Sequence, residues 1–102
     1  EEIPKFPFVS RDVAFVVDHD IKGHDMVKLA LESGKETMLE DVSIFDVYAG
    51  KGIPEGKKSL AIRFTYRSLD RTLTDNEVSK IHDAIVGKIV KGTGAEIRGS
   101  AI

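Results

Sequence analysis

One stretch decides how this chain folds: SLAIRFTYR, residues 59–67. Large apolar side chains occupy every second position along it, and small or polar side chains occupy the positions between them. A period of two predicts a β-strand with one face in a core and the other face open. The residues expected to point into the core are Leu60, Ile62, Phe64 and Tyr66, and those expected to point outward are Ser59, Ala61, Arg63 and Thr65.

The segments on either side of this strand complete a β-α-β-β-α-β order. A capping box of Thr74 and Glu77 predicts the start of the second helix, and Gly92 and Gly94 are expected to end it. With both helices on one face of a four-stranded antiparallel sheet, the fold class is α+β and ferredoxin-like. The other expected elements are a strand at 13–17, a helix at Gly23–Ser33, a strand at 42–48 and an edge strand at 95–98.

Length and composition fit a single domain over residues 1–102, with 41% hydrophobic residues to form one core. An extended connector is expected over residues 1–8, because proline fixes φ and disfavours helix in the residue before it. The chain begins with Glu1 rather than methionine, so we expect it to belong to a longer protein. The absence of cysteine excludes a disulfide scaffold and fits a reducing, cytoplasmic location. No apolar run reaches the ~20 residues of a membrane span, so we expect no membrane partner.

Charge is distributed unevenly around a net value of −2. Residues 1–50 hold five Lys and Arg against eleven Asp and Glu, whereas residues 51–71 hold six against two. The negative total argues against an autonomous, high-affinity nucleic-acid binder. The basic stretch by itself is typical of a solvated hairpin.

Motifs for catalysis are missing from the sequence. The loop that ends in GKKS, residues 56–59, resembles a phosphate-binding P-loop, but Lys51 stands where the first glycine is needed and a strand follows. The three histidines form no H-x-x-x-H pair, and no Ser-His-Asp pattern is present. We therefore expect no catalytic residue, no metal ligand and no cofactor in this chain.

Alternation on the first two strands assigns the rest of the open face. The second strand is ambiguous because Ile44 and Phe45 are both apolar, and a shift of one residue swaps its two faces. The side chains expected outside are Asp12, Ala14, Val16, Ile44, Asp46 and Tyr48, and those expected in the core are Val13, Phe15, Val17, Phe45 and Val47.

The resulting patch combines an aromatic ring, a carboxylate and small residues, which suits an unstacked base. Tyr48 can stack on the base, and Asp46 can accept hydrogen bonds from the two adjacent donors on the Watson–Crick edge of guanine. Lys57, Lys58 and Arg63 are then expected to meet phosphates. The alternative is that Tyr48 is half-buried and Asp46 is merely solvated.

Four ordered segments resemble one known family, the ferredoxin-fold anticodon-binding domain that ends the β subunit of bacterial phenylalanyl-tRNA synthetase. The likeness runs from about Phe6 to Arg98, nearly the whole chain. The segments read FPFVSRDVA (6–14), FDVY (45–48), GIPEGKKSLA (52–61) and RTLTD (71–75).

The resemblance implies a module that grips the anticodon stem-loop of tRNA(Phe), in a complex with the other domains of the β subunit and with the α subunit. It also implies that aminoacylation, a class II ligase reaction with ATP and magnesium, takes place on the α subunit. By position, Asp46, Tyr48 and Ser59 match family residues for anticodon-base recognition. The full set of candidate RNA-contacting residues is Arg11, Ala14, Asp46, Tyr48, Lys57, Lys58, Ser59, Ala61 and Arg63.

Two other functional classes share the expected strand and helix order. One is a small-molecule regulatory module similar to an ACT domain, which binds amino acids at dimer interfaces. The other is a structural domain that only packs against other parts of a synthetase.

Overall fold

The fold confirms the expected α+β, ferredoxin-like architecture. The structure is a computed structural model that describes residues 6–101, with side chains up to Arg98. Four antiparallel strands lie in the order β2-β3-β1-β4. The elements are β1 (Val9–Asp18), α1 (Gly23–Ser33), β2 (Leu39–Tyr48), β3 (Lys57–Tyr66), α2 (Asp75–Thr93) and β4 (Glu96–Ala101). Most of the expected connector, residues 1–5, lies outside the described residues.

Strand β1 is longer than its apolar run predicts. It pairs with β3 from Val9 opposite Tyr66 to Asp18 opposite Lys57. The apolar run at 13–17 marks only the part of the strand that packs on the core. The polar ends belong to the strand because their backbone groups also pair with the neighbouring strand.

Helix α2 begins where the capping box predicts. The backbone N–H of Glu77 donates to Oγ1 of Thr74 at 3.2 Å, and the Thr74 N–H donates to Oε1 of Glu77 at 3.0 Å. The helix ends at Gly94, which has φ 74°. Gly92 lies inside the helix, contrary to expectation, at a close approach of the two helices: a Cβ there would be 3.2 Å from Cδ2 of Leu29.

Helix α1 ends before Gly34, as expected, but Gly34 does not form a left-handed cap. The φ of Gly34 is −94°, which any residue can adopt. A Cβ at this position would instead collide with the side chain of Leu39 at the start of β2. Glycine is therefore needed for the close approach between α1 and β2.

The core lies between the two helices and one face of the sheet. Within the described part of the chain, no helix is long and apolar enough to cross a membrane. The largest fully buried side chains are Phe15, Met26, Leu60, Ile62, Phe64, Tyr66, Ile85 and Ile89. All four core residues predicted for the third strand are among them. We call the other side of the sheet the open face.

A buried polar contact joins the sheet to α2. The hydroxyl of Tyr66 and Nδ1 of His82 lie 2.7 Å apart, and both residues are buried. Burial lowers the pKa of His82 and raises that of Tyr66. His82 is therefore a helix-face histidine, as expected, and it has a specific hydrogen-bond partner in the core.

Candidate nucleic-acid interface

Three rows of side chains cross the open face, each built from residues paired on neighbouring strands. Rows two residues apart along a strand are separated by roughly 6–7 Å. The Tyr48 row contains Tyr48, Ser59, Val16 and Glu96; the Asp46 row contains Asp46, Ala61, Ala14 and Gly99; the Arg63 row contains Ser43, Arg63 and Asp12.

Asp46 and Tyr48 share the open face, as the alternation predicts. Asp46 pairs with Ala61 and Tyr48 pairs with Ser59, both outward positions of β3. Asp46 is exposed. Tyr48 keeps 39% of its surface exposed. The carboxylate and the ring therefore both lie on the side of the sheet that the helices leave uncovered.

The predicted facing of Ile44 and Phe45 is wrong. A register shift between Ile44 and Asp46 leaves Phe45 as an extra residue without a partner on β3, which is a β-bulge. Ile44 pairs with Ile62 and packs against the core. The strict period of two used for the prediction places Phe45 inside, and the bulge breaks that period.

Phe45 lies on the open face instead. It is 48% exposed, and the guanidinium carbon of Arg63 lies 4.7 Å from the centre of its ring. Val47 pairs with Leu60 and so faces the helix side as expected, but it is 60% exposed at the end of the edge strand. The bulge thus adds a second aromatic side chain next to Asp46.

The Asp46 row forms a low floor between two higher ridges. Its central members, Ala61 and Ala14, are both half-buried and carry a single methyl group. Tyr48 rises on one side of this floor, and Arg63 with Phe45 rises on the other. A planar group can lie over the alanines with its edge toward the carboxylate of Asp46.

The Tyr48 ring is held in place by two contacts. Its hydroxyl donates to the carbonyl of Lys51 at 2.7 Å, and the guanidinium carbon of Arg98 lies 5.7 Å from the ring centre. Ser59, the neighbour of Tyr48 in this row, is only 4% exposed. Ser59 therefore lies on the expected face but beneath the surface.

Arg98 is a functional candidate that the sequence prediction missed. A register shift in β4 places Gly99 opposite Ala14 and Ile97 opposite Phe15, which leaves Arg98 between them. Arg98 is in phase with Glu96, an outward position, and its guanidinium lies on the open face beside Tyr48. Alternation along the last strand, with Glu96 outward and Ile97 toward the core, would have found it.

Two of the predicted cations lie away from the open face. Arg11 pairs with Phe64, a core position, and forms an ion pair with Asp75 of α2 at 3.5 Å. Lys58 pairs with Val17, also a core-facing position. Both placements correct the expectation of one shared surface. Extending the alternation to the strand ends would have found them, since Arg11 is in phase with Val13 and Lys58 with Leu60.

The two predicted cations that do lie on the open face, Arg63 and Lys57, are each paired with a carboxylate. Nε and Nη2 of Arg63 donate to the two carboxylate oxygens of Asp12, each at 2.8 Å. These hydrogen bonds lower the pKa of Asp12 below its ordinary value. Nζ of Lys57 lies 2.9 Å from a carboxylate oxygen of Asp18. The face is thus close to neutral, which favours contacts with bases over attraction of phosphates.

Metal chemistry has no site among the residues that the structure describes: no three His, Asp or Glu side chains are grouped to hold an ion. The open face offers stacking surfaces and hydrogen-bond acceptors instead. These are the groups that single-stranded RNA requires.

Comparison with known proteins fits this chemistry. A family model described as the ferredoxin-fold anticodon binding domain matches residues 4–98. The chain belongs to this family. The family match covers Asp46, Tyr48 and Arg63, the residues after which the three rows are named.

Curated relatives support the same family assignment. The phenylalanine–tRNA ligase beta subunit of Syntrophus aciditrophicus is 55% identical over 98 residues, 96% of this chain. The corresponding subunit of Syntrophotalea carbinolica is 53% identical over 96 residues, 94% of this chain. The chain spans 12% of the length of each of these two relatives.

A solved structure shows the same fold without implying a shared function. The de novo designed protein Foldit4 superimposes with a TM-score of 0.59 at 15% identity, covering 94% of this chain and 98% of its own. The architecture is therefore not specific to RNA binding.

Proposed function

We propose that this chain is the anticodon-binding module of a phenylalanine–tRNA ligase β subunit and that its open face holds the anticodon stem-loop of tRNA(Phe). One observation carries the proposal: Asp46 and Tyr48 stand next to each other on the uncovered side of the sheet. The family match and the names of the relatives support a tRNA as the molecule that binds this face.

The chemistry of the site favours guanine, the first anticodon base. Guanine presents two adjacent hydrogen-bond donors on its Watson–Crick edge, and a carboxylate can accept both. Adenine, cytosine and uracil lack that pair of donors. Asp46 therefore reads the edge of the base, Tyr48 stacks against it, and Ala14 and Ala61 leave room beneath it.

Arg98 is the cation best placed to meet a phosphate near this base, since Lys57 is already paired with Asp18. Because the net charge is −2, binding by the chain alone is weak and depends on salt. The other domains of the β subunit and the α subunit supply further RNA contacts. The complete protein is then a cytoplasmic class II ligase whose aminoacylation site, with ATP and magnesium, lies outside this chain. This domain contributes no cofactor.

The direct test is a titration of the 102-residue chain with the tRNA(Phe) anticodon stem-loop at low salt. A second stem-loop carries adenine in place of the first anticodon guanine. Tighter binding to the guanine stem-loop is the expected result. Equal binding to both would refute recognition of the base by this chain.

A kinetic experiment separates RNA recognition from a purely structural role. In the complete ligase, Tyr48→Ala should lower kcat/KM for tRNA and leave phenylalanine activation intact. If the domain only packs against other parts of the synthetase, charging kinetics will be the same in the variant and the wild type.

A further inference from the structure

Phe45 is an exposed aromatic side chain that the guanine site does not use. It is the extra residue of the β2 bulge, directly before Asp46, and 48% of its surface is in contact with solvent. Exposing a phenylalanine ring to water is unfavourable, since its burial is worth roughly 1.5–3 kcal/mol. The bulge therefore brings a large apolar group to a face where the fold gains little from it.

The ring is supported by a fixed guanidinium. Arg63 lies 4.7 Å from the centre of the Phe45 ring, within the range of a cation–π contact. Asp12 holds Arg63 through two hydrogen bonds of 2.8 Å each. These contacts link Asp12 on β1, Arg63 on β3 and Phe45 on β2. They restrict the motion of a ring that is otherwise exposed at the edge of the sheet.

The Asp12 carboxylate also changes what Arg63 can do. Because two of its donor nitrogens are already bound to a carboxylate, Arg63 is a poor candidate for neutralising a phosphate. Its contact with Phe45 makes it a support for the ring. This departs from the phosphate role predicted for Arg63 from the sequence.

We propose that Phe45 is a second stacking platform, which receives the nucleobase next to the guanine read by Asp46. The proposal rests on the proposed function, because it assumes that RNA lies on the open face. Tyr48 and Phe45 stand on opposite sides of the Asp46 row. Sheets that bind single strands commonly stack successive bases on aromatic side chains.

The platform has three properties that separate it from the guanine site. A stacking contact tolerates any base, so it adds affinity without choosing among bases. It also releases no counterions, so it leaves the dependence of binding on salt unchanged. Finally, its effect must depend on the presence of the neighbouring base.

The experiment is a double-mutant cycle between the chain and the RNA. Phe45→Leu keeps an apolar side chain without a ring, and a stem-loop with an abasic nucleotide next to the guanine removes the proposed stacking partner. Each change alone should weaken binding about 5- to 150-fold. When both changes are combined, the loss of affinity should be no more than about twice the larger of the two single losses.

The control variants use the chain's own aromatic residues. Phe45→Tyr retains the ring and should bind the intact stem-loop like the wild type. Phe8→Leu removes another exposed phenylalanine, which lies beside Arg67 with 5.3 Å between the guanidinium carbon and the ring centre. Phe8 precedes β1, some six residues along the strand from Ala14, and its loss should change affinity less than about twofold.

A fluorescence measurement tests the platform without any variant. The wild-type chain should quench 2-aminopurine placed next to the guanine, because stacking on a ring quenches this base. Unchanged fluorescence on binding would overturn the proposal. So would a Phe45→Leu chain that binds the intact and abasic stem-loops like the wild type.

Failure of the platform and failure of the proposed function give different results. If guanine discrimination persists in Phe45→Leu and affinity does not fall, the platform is wrong and the proposed function stands. If the wild type does not bind the stem-loop, the proposed function fails, and if it binds without discriminating against adenine at the first position, only the recognition of guanine fails. The abasic cycle then decides separately whether Phe45 stacks a base.

Discussion

Asp46→Asn tests the reading of guanine most directly. The change keeps the size of the side chain but replaces one acceptor oxygen with an NH₂ donor, which faces a donor on the edge of guanine. It also removes a negative charge from a surface that RNA approaches. Charge alone therefore predicts tighter binding of the variant, and hydrogen bonding predicts weaker binding.

The size of the effect follows from the exposure of Asp46. A hydrogen bond to a charged group contributes about 1.5–3 kcal/mol, and an exposed carboxylate lies at the low end because water competes for it. Loss of one to two such bonds amounts to about 1.5–3 kcal/mol, or roughly 10- to 150-fold in Kd. Inosine, which is guanosine without its 2-amino group, should bind the wild type about tenfold more weakly.

The assay is fluorescence anisotropy of labelled stem-loops that carry guanine or inosine at the first anticodon position. Asp46→Asn should bind both with affinities within about twofold of each other. Asp41→Asn is the matched control, since Asp41 is exposed on the same strand and pairs with Thr65, an outward position. It should bind as tightly as the wild type or slightly tighter. Unchanged discrimination in Asp46→Asn would refute the assignment of guanine to this carboxylate.

Three further outcomes follow from the contacts of the fold. Tyr66→Phe should lower the free energy of unfolding in urea by about 1–3 kcal/mol, because it leaves Nδ1 of His82 buried without a partner; a loss below about 0.5 kcal/mol would contradict this. Burial lowers the pKa of His82, so the unfolded chain binds a proton more readily and stability should fall as the pH drops below about 6.5. In thermal melts, His82→Gln should reduce this dependence of stability on pH. An unchanged pH dependence would argue against His82 as its source. Arg98→Ala should weaken RNA binding and reduce the salt slope by about 0.7 per lost phosphate contact, whereas Arg11→Ala, on the helix side, should leave both unchanged in the same titrations.

A near-neutral open face is better suited to discriminating among bases than to attracting RNA by charge. Asp12 offsets Arg63 and Asp18 offsets Lys57, so the face gains little from counterion release. A weak but selective contact becomes effective when other domains already hold the tRNA, because binding is then intramolecular. We therefore expect specificity of the complete ligase to depend on this domain more strongly than affinity does.

Much of the fold and of the site could be predicted from sequence because the signals are local. The alternation of residues 59–67 fixes which face of β3 is buried, since a slip of one residue would expose every core side chain of that strand. The capping box of Thr74 and Glu77 fixes the start of α2 within four residues of chain. Alternation along β2 likewise places Asp46 and Tyr48 on the uncovered side, although the bulge at Phe45 breaks its period.

The pairing of the strands decided the part of the site that the sequence did not predict. Which residue of a ladder is left unpaired depends on how two strands fit along their whole length, and no local pattern marks Phe45 in β2 or Arg98 in β4 as that residue. The contact of Tyr66 with His82 likewise joins elements that only the packed helix brings together. The sequence by itself determined the layers of the fold and the outward facing of Asp46 and Tyr48, and the tertiary structure decided which aromatic ring and which guanidinium stand beside that pair.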